Sequence, residues 1–223
     1  MVQILAFGRR DEVPASCHIP QLYTRPDEAV QVAAGLFSGR PFPHRDRCVY
    51  MGPANSAERI LEALGAWVAD LKAAGQLLVL HEPADVLPDD RLGPYALLAD
   101  HLRMLAEARR DGFAGVRLVI ELSWLSDADA VPAHLFTYEA MCEAVFTFQR
   151  QPIVAVAQYD AARLGERLAS DLVKLHPILY IGRAFKRNPD YPPQGPESPG
   201  PTAPSASRPK PRGPGAGDIV ASA

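Results

Sequence analysis

Short apolar runs alternate with amphipathic segments along most of this chain. Six of the runs are rich in Val, Ile and Leu and have the length of buried β-strands. The segments between them place apolar residues at helical spacing, as Ile60, Leu64 and Leu71 do before Gly75. The pattern therefore predicts βα units in an α/β fold, a three-layer sandwich with a mostly parallel central sheet.

The same pattern gives approximate boundaries for each element. The predicted strands cover residues 18–23, 47–51, 77–81, 116–121, 153–158 and 178–181. A first helix is expected after Thr24, with Pro26 in its first turn and Asp27 at the third position after the cap, a variant of the capping box. Further helices are expected at about 55–74, 94–110, 132–150 and 163–174. Residues 1–17 are expected to form an N-terminal extension or, at 3–7, a short edge strand.

The composition changes near the C-terminus. Ten of the 22 prolines fall in the last 35 residues, among Gly, Ser and Ala. Such a segment cannot bury enough apolar surface to offset the entropy lost on ordering it. We therefore expect one globular domain over residues 18–189 and a disordered Pro-rich tail over 190–223. The tail is either a solvated extension or a polyproline-type ligand.

Charge and cysteine usage narrow the class of protein. The net charge is −3, which gives no general attraction to nucleic acid, so no direct nucleic-acid partner is expected. Cys17, Cys48 and Cys142 are odd in number and lack CxxC spacing, which favours a reducing compartment. The sequence has no signal-peptide pattern and no membrane-spanning apolar stretch, so a cytoplasmic location is expected. It also has no metal-binding motif, and no cofactor is expected.

Polar and aromatic residues cluster at the ends of the predicted strands. The carboxyl ends of parallel strands meet at one edge of the sheet, where open α/β sheets bind ligands. Trp124 and Tyr159 would supply apolar walls of a small-molecule pocket, or would simply cap the core. The residues expected to contact a ligand are His18, Tyr23, Glu121, Ser123, Trp124, Gln158, Tyr159 and Asp160. Of these, His18 and Tyr23 would form the opposite lip of the pocket.

Known catalytic and nucleotide-binding motifs are missing from the sequence. The junction after the first predicted strand, residues 23–28, reads Y-T-R-P-D-E and has neither the glycines nor the lysine that a phosphate loop needs. No G-x-S-x-G, H-E-x-x-H or dinucleotide-binding glycine motif is present. We expect a protein without enzymatic activity. The remaining catalytic alternative is acid–base chemistry by Glu121 and Asp160.

Several short motifs together resemble the MEDS family, the methanogen/methylotroph sensory domain known from a dichloromethane-responsive transcription regulator. The motifs that carry the resemblance are His18-Ile19-x-x-x-Tyr23, Arg47-Cys48-Val49-Tyr50, Glu121-Leu122-Ser123-Trp124, Tyr138-Glu139, Gln158-Tyr159-Asp160 and His176-Pro177. The resemblance covers residues 18–190. It implies a RecA/KaiC-like fold without a phosphate loop, and sensing of small hydrocarbon derivatives for signalling or transcription control.

The comparison with this family also assigns individual positions. The strand 116–121 corresponds to the Walker-B strand, so Glu121 would be a relic or a ligand contact. Pro20 and Ala157 stand where the family often has cysteine, which weakens any thiol-based sensing, while Cys48 matches a family position.

The output of the domain is expected to pass through another protein. Family members commonly carry a helix-turn-helix, a kinase or an anti-sigma-type module. The expected partners are therefore a small organic ligand and a kinase, sigma-factor regulator or transcription regulator, or a second copy of the chain. The alternative is an interaction adaptor, a degenerate ATPase-fold subunit that binds no small ligand.

Overall fold

The computed structural model describes residues 16–38, 46–80, 94–122, 131–181 and 184–191. The chain divides into two compact units, residues 1–191 and 192–223, and all of the described residues lie in the first. The strand predicted at 3–7 and nearly all of the predicted tail lie outside the described residues.

The central sheet has five parallel strands, as the sequence predicts. They are β1 (Cys17–Tyr23), β2 (Asp46–Met51), β3 (Leu77–Leu80), β4 (Gly115–Glu121) and β5 (Ile153–Asp160). Their order across the sheet is β1-β5-β4-β2-β3, so β5 lies between the first and fourth strands. The carboxyl ends of β1, β5, β4 and β2 therefore lie side by side at one edge.

Helices cover both faces of this sheet and complete the predicted three-layer α/β sandwich. They are α1 (Pro26–Ser38), α2 (Ala54–Leu64), α3 (Trp67–Ala73), α4 (Pro94–Arg110), α5 (Val131–Cys142), α6 (Ala161–Leu164) and α7 (Glu166–Val173). One apolar cluster joins α1, α2 and α3 to one face, and a second joins α4, α5 and α7 to the other. Within the described part of the chain, no helix is long and apolar enough to cross a membrane.

Three predicted helices differ from the structure in their continuity. The one predicted at 55–74 is two helices, because the chain turns at Gly65 with a φ of 54°. The one predicted at 163–174 is likewise divided, at Gly165. The one predicted at 132–150 is α5 followed by a π-helical segment, Glu143–Phe148, after which the Gln149 N–H donates to the Ala144 carbonyl at 3.1 Å. Apolar periodicity does not resolve such breaks.

The start of α1 uses a different carboxylate from the one predicted. The Glu28 side chain, and not that of Asp27, accepts hydrogen bonds from the backbone N–H of Thr24 at 3.1 Å and of Arg25 at 3.4 Å. This is the reciprocal half of a capping box. Asp27 instead pairs with Arg59 of α2, so it links two helices on the same face of the sheet.

The last predicted strand does not belong to the central sheet. β6 (Ile178–Ile181) pairs antiparallel with β7 (Ala184–Arg187), a strand that the sequence analysis missed. Ile178 and Tyr180 pack against the apolar cluster under α1, α2 and α3. A four-residue apolar run indicates a strand but does not identify the strand that pairs with it.

Candidate functional site

The pleat of the sheet separates the predicted site residues onto two faces. Successive side chains of a strand point to opposite faces. Glu121 and Gln158 are register partners on β4 and β5 and point towards the α1 face. Tyr159, the next residue of β5, packs in the apolar cluster on the opposite face. The members of the predicted site that the structure describes therefore do not all lie on one face of the sheet.

Glu121 lies at the carboxyl edge of the sheet between two tyrosines. The Tyr23 hydroxyl donates to Glu121 Oε1 at 3.1 Å, and the Tyr50 hydroxyl donates to Oε2 at 2.9 Å. Tyr23 and Glu121 are the last residues of β1 and β4, and Tyr50 is the last but one of β2. Glu121 is only 7% exposed. Burial, and then the nearby Glu121 carboxylate, raise the pKa of Tyr50, so this hydroxyl stays protonated and remains a donor. We call these three residues the Tyr–Glu–Tyr network.

A glycine makes room for this network. A Cβ atom at Gly52 would lie 2.6 Å from the Tyr50 hydroxyl oxygen and 2.9 Å from Glu121 Cβ. Both distances are shorter than a side chain tolerates, so residue 52 must lack one for the ring and the carboxylate to approach as they do. The sequence analysis missed both Tyr50 and Gly52, although Tyr50 belongs to one of the family-like motifs.

Gln158 lies beneath α1 and holds the helix to the sheet. Its amide nitrogen donates to Gln21 Oε1 and to the Ala29 carbonyl, both at 2.8 Å. The Gln21 amide in turn donates to the Glu28 carbonyl at 3.2 Å. Gln158 is fully buried and Gln21 is 3% exposed. These bonds join β1, β5 and α1, so Gln158 has a structural role whatever else it contacts.

Asp160 begins the short helix α6. Its carboxylate accepts a hydrogen bond from the Ala162 N–H at 3.0 Å, which is an N-cap interaction. The Asp160 carboxylate is thus used to satisfy a backbone donor. The predicted contact residues Ser123 and Trp124 lie outside the described residues.

His18 does not share an edge with Tyr23, and that expectation is wrong. His18 is near the amino end of β1, where its register partner is Ala155, whereas Tyr23 ends the strand. Its ring Nδ1 lies 3.5 Å from Glu139 Oε2 of α5, and the Tyr159 hydroxyl donates to Oε1 of the same carboxylate. Both His18 and Tyr159 are buried, so the structure places these two predicted residues together in the interior.

His176 and Glu143 complete a buried group that the sequence analysis did not assemble. His176 Nε2 lies 3.0 Å from Glu139 Oε2, and its Nδ1 lies 3.3 Å from Glu143 Oε2. The signal for Glu139 and His176 was their place in the family-like motifs, and Glu143 follows Glu139 by one helical turn. We call the five residues the buried His–Glu cluster: His18, Glu139, Glu143, Tyr159 and His176.

The electrostatics of this cluster make one histidine a base stronger than usual. Burial lowers the pKa of His18. Burial also acts against protonation of His176, but the carboxylates of Glu139 and Glu143 outweigh it and raise the pKa of His176 to about 9. For Glu139 burial acts to raise the pKa, yet the two neighbouring histidines hold it below its usual value. His176 and Glu139 therefore form a buried ion pair.

The described residues include one group with the geometry to hold a metal ion. It consists of His18, Glu139 and His176, whose ligand atoms all lie within 4.8 Å of one another. A separate surface groove of about 430 Å³ lies between α1 and α2, away from the predicted contact residues. Its lining residues are Asp27, Val30, Gln31, Arg59, Glu62 and Ala63.

A comparison with protein families matches most of this fold. The model of the methanogen/methylotroph, DcmR sensory domain, MEDS, matches residues 17–177. This range begins with β1 and ends immediately before β6, so it includes the whole central sheet, the Tyr–Glu–Tyr network and the buried His–Glu cluster. No curated protein matches the chain.

Proposed function

Because the chain belongs to the MEDS family of sensory domains, we propose that it binds a small organic molecule at the carboxyl edge of its sheet and signals through a partner protein. The observation that carries the proposal is the Tyr–Glu–Tyr network. It places a carboxylate and two phenol hydroxyls at the edge where open α/β sheets bind ligands.

The network favours a ligand that carries a hydroxyl or amino group. Glu121 accepts hydrogen bonds, so a ligand donor would exchange with the hydroxyl of Tyr23 or Tyr50. The short hydrocarbon part of the ligand would then pack on apolar and aromatic surface, the usual composition of small-molecule sites. Ser123 and Trp124 lie two and three residues after Glu121 in the sequence, and we propose them as further contacts.

Exchange of this kind would also generate a signal. Tyr23, Tyr50 and Glu121 belong to three different strands, so their hydrogen bonds join the ends of β1, β2 and β4. A ligand that replaces one of these bonds would change the relative stability of two arrangements of the edge. It would shift the population only as far as it binds one arrangement more tightly. A partner protein that recognises one arrangement would read that shift.

We propose that the domain signals without catalysis. The acid–base alternative needs Asp160 as the second carboxylate, and this group already caps α6. The network itself contains two hydroxyls held as donors to one carboxylate. Such an arrangement suits recognition of a polar ligand better than transfer of a proton.

A thermal-shift screen of the full chain tests the proposal. The panel contains small alcohols, amines, aldehydes and halogenated hydrocarbons, with Mg-ATP as a separate arm. A ligand at about 100 times its Kd stabilises the fold by about 2.7 kcal/mol, which moves the melting temperature measurably. We expect a shift with an alcohol or amine and none with Mg-ATP.

Variants locate the binding site in the same assay. Glu121→Gln and Tyr23→Phe should abolish the shift, because each removes one partner of the network. The matched control is Glu107→Gln, since the Glu107 side chain is half-buried on α4, far from the network in the sequence, and lies 3.9 Å from Arg110. A ligand that binds Glu121→Gln as tightly as the unmodified chain would refute this site. A response to Mg-ATP alone would refute the loss of nucleotide binding, and no response to any compound would favour the adaptor.

A further inference from the structure

The buried His–Glu cluster contains polar atoms that the fold leaves without hydrogen bonds. These atoms are both ring nitrogens of His18, Oε2 of Glu139, Oε1 of Glu143 and Nε2 of His176, and all but the Glu143 oxygen belong to three side chains that converge. The side chains of all three residues are 0% exposed. Glu139 Oε2 lies 3.5 Å from His18 Nδ1 and 3.0 Å from His176 Nε2, so the two histidines converge on one carboxylate oxygen. An unsatisfied buried polar group destabilises the folded state, so such a convergence requires a physical explanation, such as a bound ion.

We infer that His18, Glu139 and His176 bind one divalent first-row transition-metal ion. Two imidazole nitrogens and one carboxylate oxygen are a frequent ligand set for Zn²⁺ and Fe²⁺. Two ligands at about 2.1 Å from a tetrahedral ion lie roughly 3.4 Å apart, and the two distances from Glu139 are close to this value. Ca²⁺ and Mg²⁺ prefer oxygen ligands and fit this set poorly.

Hydrogen bonds around the three ligands orient them as protein metal sites do. The second ring nitrogen of His176 faces Glu143 Oε2 at 3.3 Å, and the second oxygen of Glu139 accepts a hydrogen bond from Tyr159. A metal-binding histidine usually has its other nitrogen on a carboxylate in this way. The Asn188 amide also donates to the His176 carbonyl at 2.9 Å, which fixes the backbone of this ligand.

A buried ion pair alone accounts for only part of the cluster. Pairing of His176 with Glu139 balances the charges of these two side chains but leaves both ring nitrogens of His18 without a hydrogen bond. A divalent ion would satisfy one of these nitrogens and would replace the proton on His176, which is released to solvent. Its two positive charges would balance the carboxylates of Glu139 and Glu143. The ion thus explains more of the geometry than the ion pair does.

The metal site would be structural and independent of the proposed ligand site. Its ligands come from β1, from α5 and from the segment before β6, and all are enclosed by the fold. The Tyr–Glu–Tyr network lies on the other face of the sheet. Binding of the ion would therefore stabilise the folded state and would join three distant parts of the chain.

Metal titration of the full chain tests this inference. The protein is purified with EDTA, dialysed and titrated with ZnCl₂, with MgCl₂ as the control ion. We expect one equivalent of zinc per chain after gel filtration, measured by elemental analysis, and a higher melting temperature with zinc only. Titration with CoCl₂ should give visible absorption bands typical of nitrogen and oxygen ligands. Glu121→Gln should bind zinc normally, which separates this test from that of the proposed function.

Variants identify the ligands. Glu139→Gln and His176→Gln should lose the stoichiometric zinc, and Glu143→Gln should weaken binding about 10- to 100-fold. The matched control is His134→Gln, because His134 is an exposed histidine of α5. Failure of the unmodified chain to bind zinc or cobalt would overturn the inference, as would unchanged binding by Glu139→Gln. If the ligand variants do not fold, the cobalt spectrum of the unmodified chain decides, and a spectrum without these bands overturns it.

Discussion

Removal of one hydroxyl, in Tyr50→Phe, should destabilise this protein more than its size suggests. The Tyr50 ring is 1% exposed and packs in the apolar cluster with α1 and α2, so phenylalanine keeps the packing. The change removes the hydrogen bond to Glu121 Oε2, which is 2.9 Å long, and the hydrogen bond between this hydroxyl and the Ser56 side chain. A hydrogen bond to a buried charged group is worth about 1.5–3 kcal/mol. We therefore expect a loss of about 2 kcal/mol in the free energy of unfolding.

Urea denaturation followed by circular dichroism measures this loss. With a slope of about 2 kcal/mol per M, the midpoint should fall by about 1 M without a change in slope. The matched control is Tyr95→Phe, because Tyr95 is 73% exposed and its substitution should stay within about 0.5 kcal/mol. Equal effects of the two substitutions would refute the importance of the Tyr–Glu–Tyr network.

A double-mutant cycle separates the charge of Glu121 from the packing of the ring. In the Glu121→Gln background the lost bond is one to a neutral amide, worth about 1 kcal/mol, so Tyr50→Phe should cost less than in the unmodified chain. The difference between the two costs is the coupling energy, which we expect to be about 1 kcal/mol. A coupling energy near zero would show that the hydroxyl acts through something other than Glu121.

Three further predictions use the same preparations. Gly52→Ala should lower the free energy of unfolding by about 1–3 kcal/mol in urea, because the new methyl group would overlap the Tyr50 hydroxyl; an unchanged midpoint would contradict this. The backbone N–H of Thr24, and then the contacts with Arg25, hold the pKa of Glu28 below its usual value. The charged Glu28 carboxylate therefore stabilises the folded state above the ordinary pKa of glutamate, and this stabilisation disappears as the pH falls. Glu28→Gln should thus cost about 0.5–1 kcal/mol at pH 7, and this cost should shrink as the pH falls below the ordinary pKa of glutamate; a cost independent of pH would contradict the capping role. All three cysteines are buried, and burial raises the pKa of Cys48 to about 12. Iodoacetamide at pH 7.5 should therefore label none of them until urea is added. Rapid labelling of the folded protein, measured by mass spectrometry, would contradict their burial.

The order and type of the main elements follow from the sequence pattern. Each of the five central strands lies within a few residues of its predicted position, because buried parallel strands are continuous apolar runs. The parallel arrangement follows from the alternation of these runs with amphipathic segments. Local conformations at Gly65 and in the π-helical segment were not predictable, since the apolar periodicity continues through both.

The candidate sites depended on the tertiary structure. The sequence placed Glu121 at a strand end, but the strand order decides that Tyr23 and Tyr50 are its neighbours. The pleat then sends Tyr159 to the face opposite Gln158, although the two are adjacent in the chain.

The buried His–Glu cluster shows the same limit more clearly. His18, Glu139 and His176 are separated by more than 30 residues at each step and lie in β1, in α5 and in the segment before β6. Hydrophobic periodicity is a local property that fixes which face of an element is buried. Which polar side chains meet inside the fold depends on how the crossovers stack those faces, and that is a property of the whole folded chain.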